Sequence, residues 1–203
     1  MIGPDAFPPG GVRALLRTAW VTEPTRLALQ ARLDRRYEAP RTFDAGAFAA
    51  LKAICDRLIP QPTPAVDIAG ALDERLAEGK RNGWRYDVLP SDAEALRLGL
   101  GGIDETAAIL FGARFTALPP ASQDTVLSAV QAGAPPGTAW ATLPAELWFE
   151  ELLVEAAEIY FAHPLSQEAI GYLGMADAAG WSAIGLDERE AEPRTETGSH
   201  ATA

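Results

Sequence analysis

The sequence predicts an all-α fold, in which one compact multi-helix domain with long loops follows an N-terminal helical arm. Apolar residues recur at helical spacing over long segments, and capping residues and prolines bound these segments. No run alternates β-branched and polar residues as strands do, and no internal repeat recurs at a fixed period. With 203 residues, 48% of them hydrophobic and 22% charged, the chain is long enough to bury a core without disulfides.

The N-terminal arm spans residues 1–41 and is basic. After a start rich in proline and glycine, residues 12–20 and 23–37 predict two short helices. The arm has seven arginines and four acidic residues, so it carries +3, and because the whole chain carries −11, the other 162 residues carry −14. Residues 115–186 contain no lysine or arginine at all. A basic arm beside an acidic body predicts either that the two contact each other or that they offer separate surfaces to partners.

Residues 42–60 predict the first helix of the main domain. Asp44 is suited to the N-cap, and Phe43 and Phe48 occupy the two positions of a hydrophobic staple. Cys55 lies on the apolar stripe of this helix, which indicates a small core residue rather than a reactive thiol.

A second helix follows a proline-rich turn, with Asp67 as its cap and Leu76 near its end. The polar segment after it contains Trp84 and Tyr86 and predicts a long exposed loop, the kind of segment that often carries function. Ser91 and Glu94 then predict a capping box.

The helix that Ser91 begins contains Gly99, Leu100, Gly101 and Gly102, which predict a bend. A further helix begins at Pro119 or Pro120 and runs to residue 131, and a loop follows it. The helix predicted over 145–161 is apolar except for its glutamates, so it is either central to its own domain or covered by a second molecule. The main domain is predicted to end near residue 186, and residues 187–203 form a polar tail that is too hydrophilic to fold alone.

The composition excludes several classes of chemistry. Cys55 is the single cysteine, and His163 and His200 are the two histidines, so the sequence predicts no catalytic residue, no histidine-based triad and no cysteine- or histidine-rich metal site. No glycine-rich phosphate loop follows a strand, which predicts that this chain binds no cofactor itself. A pI near 4.6 argues against nucleic acid and anionic membranes as partners.

Two candidate sites have a structural alternative. Glu150, Glu151, Glu155 and Glu158 cover an arc of about 140° on one helix, which could suggest a carboxylate metal cluster but fits a solvated face better, because di-iron bundles need Glu-x-x-His pairs. His163 stands just past the end of this helix, where an imidazolium would complement the helix dipole, so we expect a structural capping role.

The aromatic residues suggest a partner surface. Tryptophan and tyrosine in and beside loops are enriched at interfaces, although such side chains can also fold back onto their own helices. Seven residues fit this description: Trp84, Tyr86, Trp140, Trp148, Tyr160, Tyr172 and Trp181.

Three segments resemble a known family. They are FDAGAFAALKAICDRLIPQ, FTALPPASQDTVLSAVQAG and WFEELLVEAAEIYFAHPLSQEAIGYLG, the last followed by a Gly-Trp pair at residues 180–181. Their order and spacing over about residues 42–186 resemble the gluconate 2-dehydrogenase subunit 3 family, the small subunits that accompany flavin-binding glucose-methanol-choline (GMC) type oxidoreductases.

The resemblance implies an accessory subunit rather than an enzyme. It implies that FAD lies in a large partner subunit, which oxidises a sugar, a sugar acid, a glycoside or a related alcohol and often passes electrons to a c-type cytochrome subunit. The small subunit is then expected to bind and stabilise the large one or to assist its maturation. On this basis we expect the following residues to lie at the partner contact or to support it: Trp84, Tyr86, Trp148, Tyr160, Phe161, His163, Pro164, Tyr172 and Trp181.

The sequence predicts a cytoplasmic location. It has no segment of 18 apolar residues and no signal peptide, and Arg35-Arg36 precedes polar residues rather than the apolar run of a twin-arginine signal. A periplasmic location is expected only if a signal-bearing partner exports the complex.

Two other functions stay open. A free-standing helical enzyme would use Glu151 or Glu155 as a general base, and it predicts a cleft that contains those carboxylates. A self-associating helical module would bury the same aromatic surface against a second copy of the chain.

Overall fold

A computed structural model describes residues 11–19, 21–61, 65–80, 86–170 and 172. These residues form helices joined by turns and loops, and no strand occurs among them. The helices are α1 (Gly11–Leu15), α2 (Glu23–Asp34), α3 (Ala45–Leu58), α4 (Ile68–Ala77), α5 (Asp92–Phe111), α6 (Pro120–Gln131), α7 (Ala145–Phe161) and α8 (Pro164–Ala169). Short 3-10 turns lie at Phe115–Ala117 and Ala139–Ala141. The predicted all-α class is confirmed, and no described helix combines the length and apolarity needed to cross a membrane.

Helices α3 to α7 enclose the main hydrophobic core. Helix α7 contacts α3, α4, α5 and α6, so it is central to its own domain, which is one of the two alternatives that its sequence predicted. Trp148 and Leu152 of α7 are fully buried with Leu51 of α3 and Ile103 of α5. Cys55 is buried in the same core, and burial raises the pKa of its thiol to about 12, which confirms a packing role.

The predicted N-caps have two different outcomes. Asp44 accepts a hydrogen bond from the backbone N–H of Ala47 at 2.8 Å, and Asp67 accepts one from Gly70 at 2.9 Å. Ser91 stands at the N-cap of α5, but its side chain makes no capping hydrogen bond, so the predicted capping box is wrong. Acidic side chains in the first turn of α5 complement the helix dipole there instead.

The glycines of α5 do not end the helix, and the bend that they predict stays a prediction. The helix runs through residues 99–102 without interruption, and two of its glycines, Gly99 and Gly102, admit large side chains from elsewhere. A Cβ at Gly99 would overlap the indole of Trp148, and one at Gly102 would come within 2.6 Å of the indole of Trp140. The two indoles meet edge to face with centroids 5.6 Å apart, and Trp140 donates its Nε1–H to Thr106 Oγ1 at 2.9 Å.

The basic arm packs against the acidic body. Helices α1 and α2 contact α8, and a second hydrophobic cluster forms within the arm around Val12, Leu15 and Leu29. The guanidinium of Arg13 pairs with Glu168 at 2.9 Å. Self-contact between arm and body, one of the two alternatives drawn from the charge pattern, is therefore present.

Asp73 of α4 binds the end of the arm through hydrogen bonds to its backbone. Its buried carboxylate accepts hydrogen bonds from the backbone N–H groups of Arg41 at 2.6 Å, Thr42 at 3.0 Å and Phe43 at 3.1 Å. The hydroxyl of Thr42 donates in return to the carbonyl of Asp73 at 2.9 Å. The turn into α3 is thus fixed by one aspartate, since the charged acceptor satisfies three N–H groups that would otherwise be unpaired.

Candidate partner-binding surface

The outward face of α7 carries a row of exposed or partly exposed apolar side chains, which we call the α7 ridge: Leu153, Val154, Ala157 and Phe161. Spacings of three and four residues place them on one side of the helix. Val154 is 48% exposed and Phe161 50% exposed. Of these residues only Phe161 was expected at a contact. The apolar character of α7 was clear from the sequence, but which side faces outward depends on the inward position of Trp148.

The ridge continues past the end of α7 into a corner. Tyr160 packs edge to face against Phe161, with centroids 5.1 Å apart. Gln167 donates from Nε2 to the carbonyl of Phe161 at 3.2 Å, and its backbone carbonyl accepts from the N–H of Tyr172 at 2.8 Å. Tyr172 and Ile170 are 48% and 55% exposed. The corner therefore adds two large apolar side chains to the ridge.

His163 caps a helix, but not the one expected. Its Nδ1 accepts a hydrogen bond from the N–H of Leu165 at 3.3 Å, at the start of α8. Its Nε2 lies 3.1 Å from the carbonyl of Arg32, and this pairing requires a neutral imidazole protonated at Nε2. Burial, aided by the charges of Arg32 and Arg36, lowers the pKa of His163 although the Arg32 carbonyl opposes this. The expected cationic cap at the end of α7 is therefore corrected to a neutral cap at the start of α8.

Two of the expected contact residues are buried. Trp148 is 1% exposed and packs beneath the ridge, and Pro164 is buried at the start of α8. Their part in any contact is therefore to support exposed neighbours rather than to touch a partner.

Tyr86 lies beside the N-terminal half of α7. Its ring packs against the main core, and its hydroxyl makes a hydrogen bond with the Glu150 side chain that raises the pKa of the phenol. Trp84 and Trp181 lie outside the described residues, so their expected place at the contact stays a prediction.

The four α7 glutamates that the sequence placed on one arc do not form a uniformly solvated face. Glu150 and Glu158 are exposed, whereas Glu151 and Glu155 are half-buried and burial raises the pKa of each carboxyl. Arg75 of α4 binds Glu155 at 2.6 Å and Glu158 at 3.2 Å, and this opposes the rise for Glu155. Among the described residues no three histidine, cysteine or acidic side chains are grouped as metal ligands.

A small cavity lies between α4, α5 and α7. Glu151, Glu155, Arg75 and Asp92 line it together with apolar side chains, so the carboxylates expected of a free-standing enzyme do face a cleft. Its volume is about 50 Å³, far below the roughly 300–1,000 Å³ of sites for small-molecule ligands. The cavity has room for water but not for a sugar.

A wider groove of about 860 Å³ separates the arm from α4 and the end of α7. Some of its charged side chains pair with one another: Arg35 with Glu74, and Lys80 with Glu78. Arg32 and Arg36 also line the groove, and their guanidinium groups donate to backbone carbonyls.

Comparison with known proteins decides the family. The family model described as gluconate 2-dehydrogenase subunit 3 matches residues 45–186, which is more than half of the chain. The chain belongs to the gluconate 2-dehydrogenase subunit 3 family. No curated protein and no solved structure matches it.

The subunit 3 match covers some of the described helices and leaves others outside it. Helices α3 to α8, and with them the α7 ridge and the corner at Tyr172, lie inside the matched residues. Helices α1 and α2 lie before the matched residues. The resemblance drawn from the three sequence segments is confirmed at the level of the family.

Proposed function

We propose that this chain is a non-catalytic accessory subunit of an FAD-dependent GMC-type oxidoreductase. It binds the flavin subunit and stabilises it or assists its maturation. The family name describes a subunit of a dehydrogenase, and this supports a role within a complex. The observation that carries the proposal is the α7 ridge, because a row of exposed apolar side chains on a central helix is typical of a surface that a second protein covers.

The site chemistry favours a binding role over turnover by this chain. Glu155 is engaged by Arg75 at 2.6 Å, and this guanidinium opposes the rise that burial causes in the pKa of the Glu155 carboxyl. The cavity beside Glu151 is too small for a sugar. A general base needs both a free acceptor and room for substrate. The buried Oε1 atom of Glu151 has no hydrogen-bond partner among the described residues, but the cavity beside it leaves no room for a sugar.

The proposal assigns the redox chemistry to the partner. FAD is bound by the large subunit, which oxidises a sugar, a sugar acid or a glycoside, and a c-type cytochrome subunit is a further expected partner. Substrate specificity then lies in the flavin subunit and not in this chain.

A pull-down from the native host tests the proposal. The tagged chain is isolated under mild conditions, the eluate is scanned for flavin absorbance, and co-purifying proteins are identified by mass spectrometry. A yellow eluate with a GMC-type subunit in fixed ratio to the chain is expected. A colourless chain that elutes alone contradicts the accessory role, and a colourless dimer supports the self-associating module.

A further inference from the structure

Two buried polar atoms beside the cavity between α4, α5 and α7 have no hydrogen-bond partner in the described part of the chain. They are Nε1 of Trp148 and Oε1 of Glu151, and both residues line this cavity. Trp148 is 1% exposed, so bulk water does not reach its N–H group. A buried donor or acceptor that stays without a partner costs free energy, and two of them at one cavity indicate a bound molecule.

Neither side chain is free to turn toward a different partner. A Cβ at Gly99 would overlap the indole of Trp148, and Trp140 packs against the same indole edge to face. The carboxylate of Glu151 accepts a hydrogen bond from the backbone of Tyr86, which leaves Oε1 as its oxygen without a partner. Positions 148 and 151 are neighbours on one side of α7, because they are three residues apart.

The two atoms need opposite kinds of hydrogen-bond partner. The indole N–H needs an acceptor, and the carboxylate oxygen needs a donor. A metal ion cannot accept a hydrogen bond from the indole, and an anion without a proton cannot donate one to the carboxylate. A hydroxyl group does both, and water is the smallest molecule that carries one.

The cavity has the size and the polarity that an ordered water needs. Its volume is about 50 Å³, and roughly 10–15 Å³ is enough for one water. Buried waters make about three hydrogen bonds each. Arg75 of α4, Asp92 of α5 and Glu155 of α7 also line the cavity, so polar side chains from all three helices surround it.

We infer that an ordered water occupies this cavity, where it accepts a hydrogen bond from Nε1–H of Trp148 and donates one to Oε1 of Glu151. The water satisfies the buried indole at the centre of the core and gives Glu151 a structural role. The site belongs to this chain alone. It therefore goes beyond the proposed function, and its test does not depend on whether a flavin subunit binds.

A crystal structure of the full chain tests the inference directly. At a resolution that defines waters, density for a water is expected about 2.7–3.2 Å from both Nε1 of Trp148 and Oε1 of Glu151. An empty cavity, an ion or a larger molecule in it, or a Glu151 side chain that pairs with a protein group instead would each overturn the inference.

Nuclear magnetic resonance tests the same water in solution. With the tryptophan indole nitrogens labelled, the Nε1–H signal of Trp148 is identified by its contacts with the α-protons of Gly99, against which the indole lies. Cross-relaxation between this N–H and water is then measured. The wild type should show a cross peak with a long-lived bound water.

Matched variants show whether Glu151 holds this water. Glu151→Leu should lose most of the cross peak, because leucine has a similar size but accepts no hydrogen bond, whereas Glu151→Gln keeps an acceptor oxygen and should retain it. Glu146→Leu replaces an exposed glutamate of the same helix and should behave as wild type does. Circular dichroism melts confirm that each variant is folded, and Glu151→Met replaces Glu151→Leu if it is not. A cross peak equal in the wild type and the folded apolar variant contradicts the bridge.

Discussion

The indole of Trp148 on α7 occupies the space that a side chain at Gly99 of α5 would need. Gly101, two residues along, faces open space, and a methyl group added there would meet no atom within 4 Å. The same helix therefore contains one glycine that the packing requires and one that it does not.

We expect these two glycines to respond in opposite directions to alanine. Gly101→Ala should raise the free energy of unfolding by about 0.5–1 kcal/mol, because alanine is the better helix former. Gly99→Ala should lower it by about 1–3 kcal/mol, because the new methyl group displaces the indole. Urea unfolding followed by circular dichroism measures both, and equal stabilisation by the two substitutions would refute the close packing of Trp148.

Asp73 provides a second test of stability. In Asp73→Asn the amide has one acceptor oxygen for three backbone N–H groups and turns a donor toward some of them, so the free energy of unfolding should fall by about 1–3 kcal/mol. Asp44→Asn is the control, since asparagine caps a helix as well as aspartate does, and it should change stability little. Similar losses of unfolding free energy in the two variants, measured by urea unfolding, would show that the hydrogen bonds around Asp73 contribute no more than an ordinary helix cap.

His163 should make stability depend on pH. Its pKa in the folded chain is below the usual value of about 6.5, so the unfolded chain takes up the proton first as the pH falls. Above a pH of about 6.5 the neutral ring contributes its full stabilisation. As the pH falls from that value toward the pKa of the folded chain, the free energy of unfolding declines by at most about 1.4 kcal/mol per pH unit.

His163→Asn isolates this effect, because asparagine keeps an N-cap acceptor but does not titrate. The free energy of unfolding is measured for both proteins between pH of about 7.5 and 5.5, across the usual histidine pKa. We expect the wild type to lose more than the variant over this interval. A constant difference between them would argue against a neutral, capping His163.

Arg75 should stabilise the chain through Glu155. Arg75→Gln removes the guanidinium from beside a half-buried carboxylate and should lower the free energy of unfolding by about 1–3 kcal/mol at neutral pH. The deficit should shrink at acidic pH, because without the guanidinium the pKa of Glu155 rises further and protonation relieves the buried charge. Lys52→Gln breaks an exposed pair with Asp56 and should cost no more than about 0.5 kcal/mol; thermal melts of both variants at two pH values provide the comparison.

Local signals in the sequence predicted the helices well. The helix at 145–161 was placed with its observed ends, and the caps at Asp44 and Asp67 formed as expected. These features depend on residues within one turn of each other, so a single segment contains the information. The short helix α8 was missed, because its start depends on a side chain, His163, that was assigned to the helix before it.

Other features that the sequence did not predict depend on contact between distant segments. The sequence cannot show that Trp148 and Trp140 pack against Gly99 and Gly102 of α5. The half-buried position of the Glu155 side chain depends on Arg75, which lies 80 residues away in the sequence. The α7 ridge was only partly predicted for the same reason, since the outward side of an apolar helix is defined by what covers the other side.

The pairing of the arm with α8 sets an order of events during synthesis. Arg13 and its partner Glu168 are 155 residues apart, so at the usual 5–20 residues per second the ribosome needs roughly 8 to 30 s between making the one and making the other. During this interval α1 has emerged but has no α8 to receive it. Helix α1, the first of the described helices, is therefore among the last of them to reach its place, because it cannot pack against α8 until residue 168 has been made.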